Sequence, residues 1–138
     1  MEATSTRVLV VADPRGTDAA LAHAVRRRAA LGACEFMLLV PAVAHGLHRV
    51  VDPEDACCEE AQETVARLLP ALEAAAGDTV SARIGAHEVL AAVEDALNDE
   101  RFDEVMVFTG RRRVARLLRI DLARKIAALG ADVTPVAA

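Results

Sequence analysis

Val105-Met106-Val107-Phe108-Thr109-Gly110-Arg111-Arg112-Arg113 is the stretch on which the fold turns. Its first four residues are an apolar run too short for a helix, and turn residues follow at once. A basic stretch with helical spacing comes next: Val114, Leu117 and Leu118 are its apolar positions, and Arg111, Arg112, Arg113, Arg116 and Arg119 its charges. A strand end that opens into a helix is where an α/β sheet receives phosphates. The usual device there is a glycine-rich loop, because only glycine lets backbone N–H groups crowd round an anion. Here one glycine and three arginines occupy that place.

Outward from this stretch the chain alternates strand and helix. Arg7–Ala12 is a β-branched run closed by Asp13. A helix capped by Thr17 runs to about Leu31 and stops at Gly32. Glu35–Val40 is a second apolar run, closed by Pro41, and residues 42–51 read as a loop. Asp52-Pro53 starts a helix with a capping carboxylate and then proline at the first helical position. Early acids suit that helix's dipole, and Pro70 is expected to kink it before its end near Ala76. Thr79–Ile84 is a third strand, ended by Gly85. A helix over about 88–97, the strand Asp103–Phe108, helical spacing over 122–129 and a last strand Asp132–Ala137 complete the series. The β-α-β pattern implies a parallel sheet with helices on both faces and right-handed crossovers. With no linker, repeat or low-complexity segment, residues 1–138 read as one domain.

Composition narrows the function classes. Aromatic residues are 2% of the 138, so the core must be built from Ala, Val, Leu and Ile. A net charge of −5 argues against general nucleic-acid affinity. No apolar run is long enough for a membrane span, and the first six residues lack the pattern of a signal peptide. Three cysteines, two of them the neighbours Cys57 and Cys58, do not form a disulfide framework. These features fit a cytoplasmic protein in a reducing compartment.

Val8-Leu9-Val10-Val11-Ala12-Asp13, the junction Arg83-Ile84-Gly85-Ala86-His87-Glu88-Val89-Leu90 and the strand Asp103–Val107 together resemble the universal stress protein family, over essentially the whole chain. Asp13 resembles that family's adenine-side aspartate. His87 stands where the family's strand-Gly-x-Pro-helix junction has proline. The resemblance implies a Rossmann-like fold of the adenine nucleotide alpha hydrolase-like kind, with five parallel strands in the order 3-2-1-4-5. It also implies a homodimer joined through the C-terminal edge strand. ATP-binding members carry Gly-x2-Gly-x9-Gly-Ser/Thr after the fourth strand. Matching Leu117-Leu118 to the family's apolar pair puts Val107 and Gly110 on the first two glycines and Ile120-Asp121 on Gly-Ser. A carboxylate at Asp121 repels a phosphate, and Ile120 hinders close backbone approach, so ATP is not expected as a cofactor.

The candidate ligand-binding residues are therefore Asp13, Val40, Thr109, Gly110, Arg111, Arg113 and Asp121. Asp13 either hydrogen-bonds a base or sugar or serves as the turn residue of Asp-Pro-Arg-Gly. The arginines either form an anion pocket or a solvated helix face that partners the acidic second helix. Arg26-Arg27-Arg28 ends the first helix, where the dipole favours cations. His45-x2-His48 with Cys57-Cys58 matches no zinc template, so no metal is expected. His23 and His87 read as surface residues. No Ser-His-Asp or Cys-His arrangement is readable, so no catalytic residue is assigned. The leading function is a non-enzymatic stress-response or regulatory module. The alternatives are a small-ligand, nucleotide or anion sensor using Asp13, Gly110 and the arginines, and, below it, a hydrolase of a nucleotide-type substrate.

Overall fold

The computed structural model describes residues 5–12, 18–41, 53–85, 89–109, 124–128, 130 and 132–137. The elements in chain order are β1 (Thr6–Val11), α1 (Asp18–Ala30), β2 (Cys34–Pro41), α2 (Pro53–Ala76), β3 (Ser81–Gly85), α3 (Val89–Asp99), β4 (Glu104–Thr109) and β5 (Asp132–Ala137). A further helical piece at residues 124–127 precedes β5. The five strands form one sheet in the order β3-β2-β1-β4-β5. Every pairing is parallel. The expected order and strand count are those observed.

The central strand shows why this sequence folds this way. Val8, Leu9 and Val10 have no exposed surface, and Val11 and Ala12 keep 2% each. A strand covered on both faces needs a continuous apolar run, and period-two geometry then splits it between two cores. Val8, Val10 and Ala12 pack with Phe36, Leu38, Val40 and Met106 beneath α1 and α2. Leu9 and Val11 pack with Leu39, Val105 and Val107 beneath α3, and Ile126 of the later helical piece joins them. Each such side chain contributes roughly 1.5–3 kcal/mol on burial. β3, at the edge, is mostly exposed at Ser81, Ala82 and Ile84.

α2 runs from Pro53 to Ala76 with Pro70 inside it, the bounds expected from the sequence. Pro70 and Ala66, whose carbonyl loses its helical donor, are both exposed to water. One reading of the sequence changes: the expectation that helix-dipole charge sufficiently explains Arg28 is corrected. Arg28 Nε donates to Glu104 Oε2 at 2.6 Å, and the two side chains are only 22% and 16% exposed. That hydrogen bond and the carboxylate's charge hold the guanidinium pKa above its ordinary value, against the opposing effect of burial. The pair ties the end of α1 to the start of β4. Arg28→Ala is expected to lower stability by about 2 kcal/mol, because a charge-assisted hydrogen bond is lost and a half-buried carboxylate is left behind. Arg27→Ala, at an exposed position on the same turn, is expected to change it by less than about 0.5 kcal/mol. Urea midpoints of the two variants check this, and equal losses would return Arg28 to a dipole role.

Candidate functional site

Ligands of open α/β sheets bind outside the carboxyl ends of the strands, where the strand order reverses. Here the chain steps from β1 to β2 to β3 in one direction, then returns to place β4 on the other side of β1. The reversal lies between β1 and β4. Their last paired residues are Val11 and Val107. β4 continues through Phe108 and Thr109, which pair with Val136 and Ala137 of β5. Thr109 therefore stands two residues beyond the last rung shared with β1. The end of β1 is closed on its other side by the Ala12 amide, which donates to the Leu39 carbonyl at 3.0 Å.

The rim these strand ends form is apolar. Val11, Ala12, Val40, Pro41 and Val107 are all buried. Val40 has no exposed surface and packs in the core beneath α1 and α2, so contact with a ligand is left to its main chain. Thr109 is placed by its backbone alone. Asp13, Gly110, Arg111, Arg113 and Asp121 lie outside the described residues.

One residue at the rim has a role that sequence reading gave only as part of a resemblance. Gly85 ends β3 opposite Pro41 of β2. A Cβ placed on it would lie 2.4 Å from Ala92 Cβ and 3.1 Å from Leu39 Cδ1. α3 thus sits on the sheet at a distance only glycine permits, and this fixes where the helix begins beside the rim. A glycine closing a short alternating strand, with alanine seven residues on, is the sequence signal for such an approach. Gly32 has no neighbour within 4 Å of a virtual Cβ.

Arg83 of β3 pairs with Asp99 of α3 at 2.6 Å, and the other polar clusters described gather at the opposite end of the sheet. The Arg7 amide donates to Asp103 Oδ2 at 3.0 Å, and the Asp103 amide returns a bond to the Arg7 carbonyl at 2.9 Å. The Arg7 guanidinium lies 5.0 Å from the centre of the Phe102 ring. It also reaches Glu100 at 3.6 Å and Glu35 at 3.9 Å. This cluster fastens the approach to β4 onto β1, a structural duty that composition alone does not reveal. Cys34, half-buried, points its thiol at the Arg28 carbonyl at 4.0 Å. Burial pushes that thiol's pKa up, outweighing the nearby guanidinium, so it stays protonated and unreactive at neutral pH. Among the described residues no group of His, Cys, Asp and Glu could hold a metal. His45 and His48 lie outside those residues, as do the side chains of Cys57 and Cys58.

No family model and no curated protein matches this chain. Solved structures do. A universal stress protein in complex with cAMP aligns at TM-score 0.67 and 17% identity, over 95% of this chain and 96% of that one. UspA of Lactobacillus plantarum aligns at 0.69 and 15%, over 98% and 99%. The fold is that of the universal stress proteins. A third example, from Archaeoglobus fulgidus, aligns at 0.65 and 14% identity over 95% and 93%. Near-complete coverage in both directions means that the universal stress protein fold accounts for the whole order of elements. At these identities it is the backbone path that is shared, and fold alone assigns no chemistry.

Gly85→Ala is expected to destabilise by about 1–3 kcal/mol through overpacking against Ala92 and Leu39. Gly32→Ala, in open space, is expected to be neutral within about 0.5 kcal/mol. Thermal or urea unfolding of both variants measures this, and a neutral Gly85→Ala would remove the close approach as a determinant of the rim.

Proposed function

We propose that this chain is a non-enzymatic regulatory or stress-response module of universal stress protein type that does not bind ATP in the way of that family's nucleotide-binding members. The observation that carries this reading is the chemistry placed after β4. ATP needs closely approaching main-chain donors for its phosphates. The described rim supplies buried apolar side chains, and the sequence beyond it offers Ile120-Asp121 where a Gly-Ser pair would receive the phosphate. Those residues do not fit the group. A cytoplasmic location belongs to the same proposal. It agrees with the finding that no described helix is long and apolar enough to cross a membrane.

A second reading, an anion or nucleotide sensor, is favoured by how charge is distributed along the fold. In a net-acidic chain, Arg15, Arg49 and the five arginines between 111 and 119 all fall in segments that leave the carboxyl ends of strands. They outnumber the acids of those segments: Asp13, Asp52, Glu88 and Asp121. Guanidinium groups replace glycine-loop amides as donors in such a site. The relative in complex with cAMP shows that this fold accommodates a nucleotide carrying a single phosphodiester charge.

A thermal-shift screen separates the readings, because a ligand of the native state raises the melting temperature. Millimolar ATP is expected to give no appreciable shift, and a low-micromolar dissociation constant would overturn the first reading. Should cAMP, phosphate or sulfate stabilise the wild type, the double variant Arg111→Ala/Arg113→Ala is expected to abolish the shift. A shift that survives the double variant makes the arginines a solvated face.

The proposed assembly is a homodimer joined at least partly through the edge of β5. β5 is the terminal strand of the sheet, and a bare edge invites pairing. Light scattering at micromolar concentration is expected to give about twice the 14.6 kDa of one chain. A monomer, or a dimer indifferent to deletion of residues 132–138, would refute this interface.

A further inference from the structure

We infer that Pro135 bars continuous strand pairing along the outer edge of β5, so that a second copy of this chain finds there no more than one hydrogen-bonded residue pair. The inference concerns the edge itself and goes beyond the dimer reading, whose main-chain contribution it limits.

The argument starts from an unbroken register. β4 and β5 pair in parallel from Glu104↔Asp132 through Val107↔Pro135 to Thr109↔Ala137. In a parallel strand each residue turns its N–H and C=O to the same side, and successive residues alternate sides. Proline has no N–H. Were Val133, Pro135 and Ala137 turned toward β4, the ladder would lose its donor at its centre. Continuous pairing therefore turns Asp132, Thr134 and Val136 toward β4, and Val133, Pro135 and Ala137 outward. This is the placement that proline tolerates on an edge strand.

The outer row thus reads donor, ring carbon, donor. In a hydrogen-bonded antiparallel pair the amide nitrogen and the facing oxygen lie about 2.9 Å apart. The proline ring carbon, about 1.5 Å from its nitrogen, would point at that oxygen from well inside contact distance. Two copies related by a two-fold axis must pair antiparallel. A register centred on Pro135 sets the two prolines against each other between the Val133–Ala137 pairs. A register shifted toward Val133 opposes Pro135 to the residue preceding β5. Only a crossing at Ala137, each Ala137 facing its counterpart, avoids the proline. That crossing is a single pair. The rest of any dimer contact must come from side chains, and edge-to-edge growth into longer sheets is blocked.

Residue-resolved amide exchange on the wild-type chain tests this directly. The amides of Thr134 and Val136 are expected to exchange at least about tenfold more slowly than that of Val133, at both micromolar and near-millimolar concentration. Equal protection of Val133 and Thr134 would overturn the inference. In Pro135→Thr a donor is restored, and two or more hydrogen bonds become available. Self-association measured by sedimentation velocity is expected to tighten by at least about tenfold. An unchanged mass distribution would also overturn it. A monomeric wild type with Val133 unprotected supports this inference while refuting the dimer, so the two proposals fail separately.

Discussion

The structure depends on the double burial of β1. Four consecutive residues, Val8 to Val11, lose nearly all their exposed surface, and their side chains alternate between two helical layers. A strand inside a parallel sheet removes such a run from water while pairing its backbone, and it presents side chains on both faces. From that constraint follow the central position of β1, the need for helices above and below, and the crossover connections that parallel neighbours require. The small-residue composition serves the same end. Ala61 and Ala75 of α2 pack in one layer, and Ala92 and Ala96 of α3 in the other. The Gly85–Ala92 approach is the extreme case.

The polar devices lie where the apolar layers end. Arg28–Glu104 joins α1 to the start of β4, and Arg7 gathers Asp103, Glu100, Glu35 and the Phe102 ring about the start of β1. All of these stand at the amino ends of the strands. At the carboxyl ends of β1, β2 and β4 the described side chains are apolar, and Arg83 of β3, level with Val11, pairs with Asp99 of α3 at 2.6 Å. A sheet divided in this way keeps most of its described ion pairs at one end.

That division bears on function. The universal stress protein fold persists here at 14–17% identity to its solved relatives. It persists because apolar pattern and strand order survive extensive substitution. Phosphate binding does not survive so easily, since it needs glycine or a hydroxyl at particular places. The same fold can thus outlast the chemistry of its loops.

The sequence by itself determined the fold class, the five strands and their order through the family resemblance, and the bounds of β5 to the residue. These were legible because burial on both faces demands uninterrupted apolar runs and because glycine and proline punctuate the chain. The candidate residues Asp13, Gly110, Arg111, Arg113 and Asp121 were likewise legible as residue types after strand ends, and their geometry lies outside the described residues. Tertiary structure alone decided the rest. It turned Arg28 from a helix-end charge into the partner of Glu104, 76 positions away. It placed the Val40 side chain wholly within the core beneath α1 and α2. In each case the deciding fact was which surface a side chain meets, and periodicity along a chain does not carry the position of a neighbour that is distant in sequence.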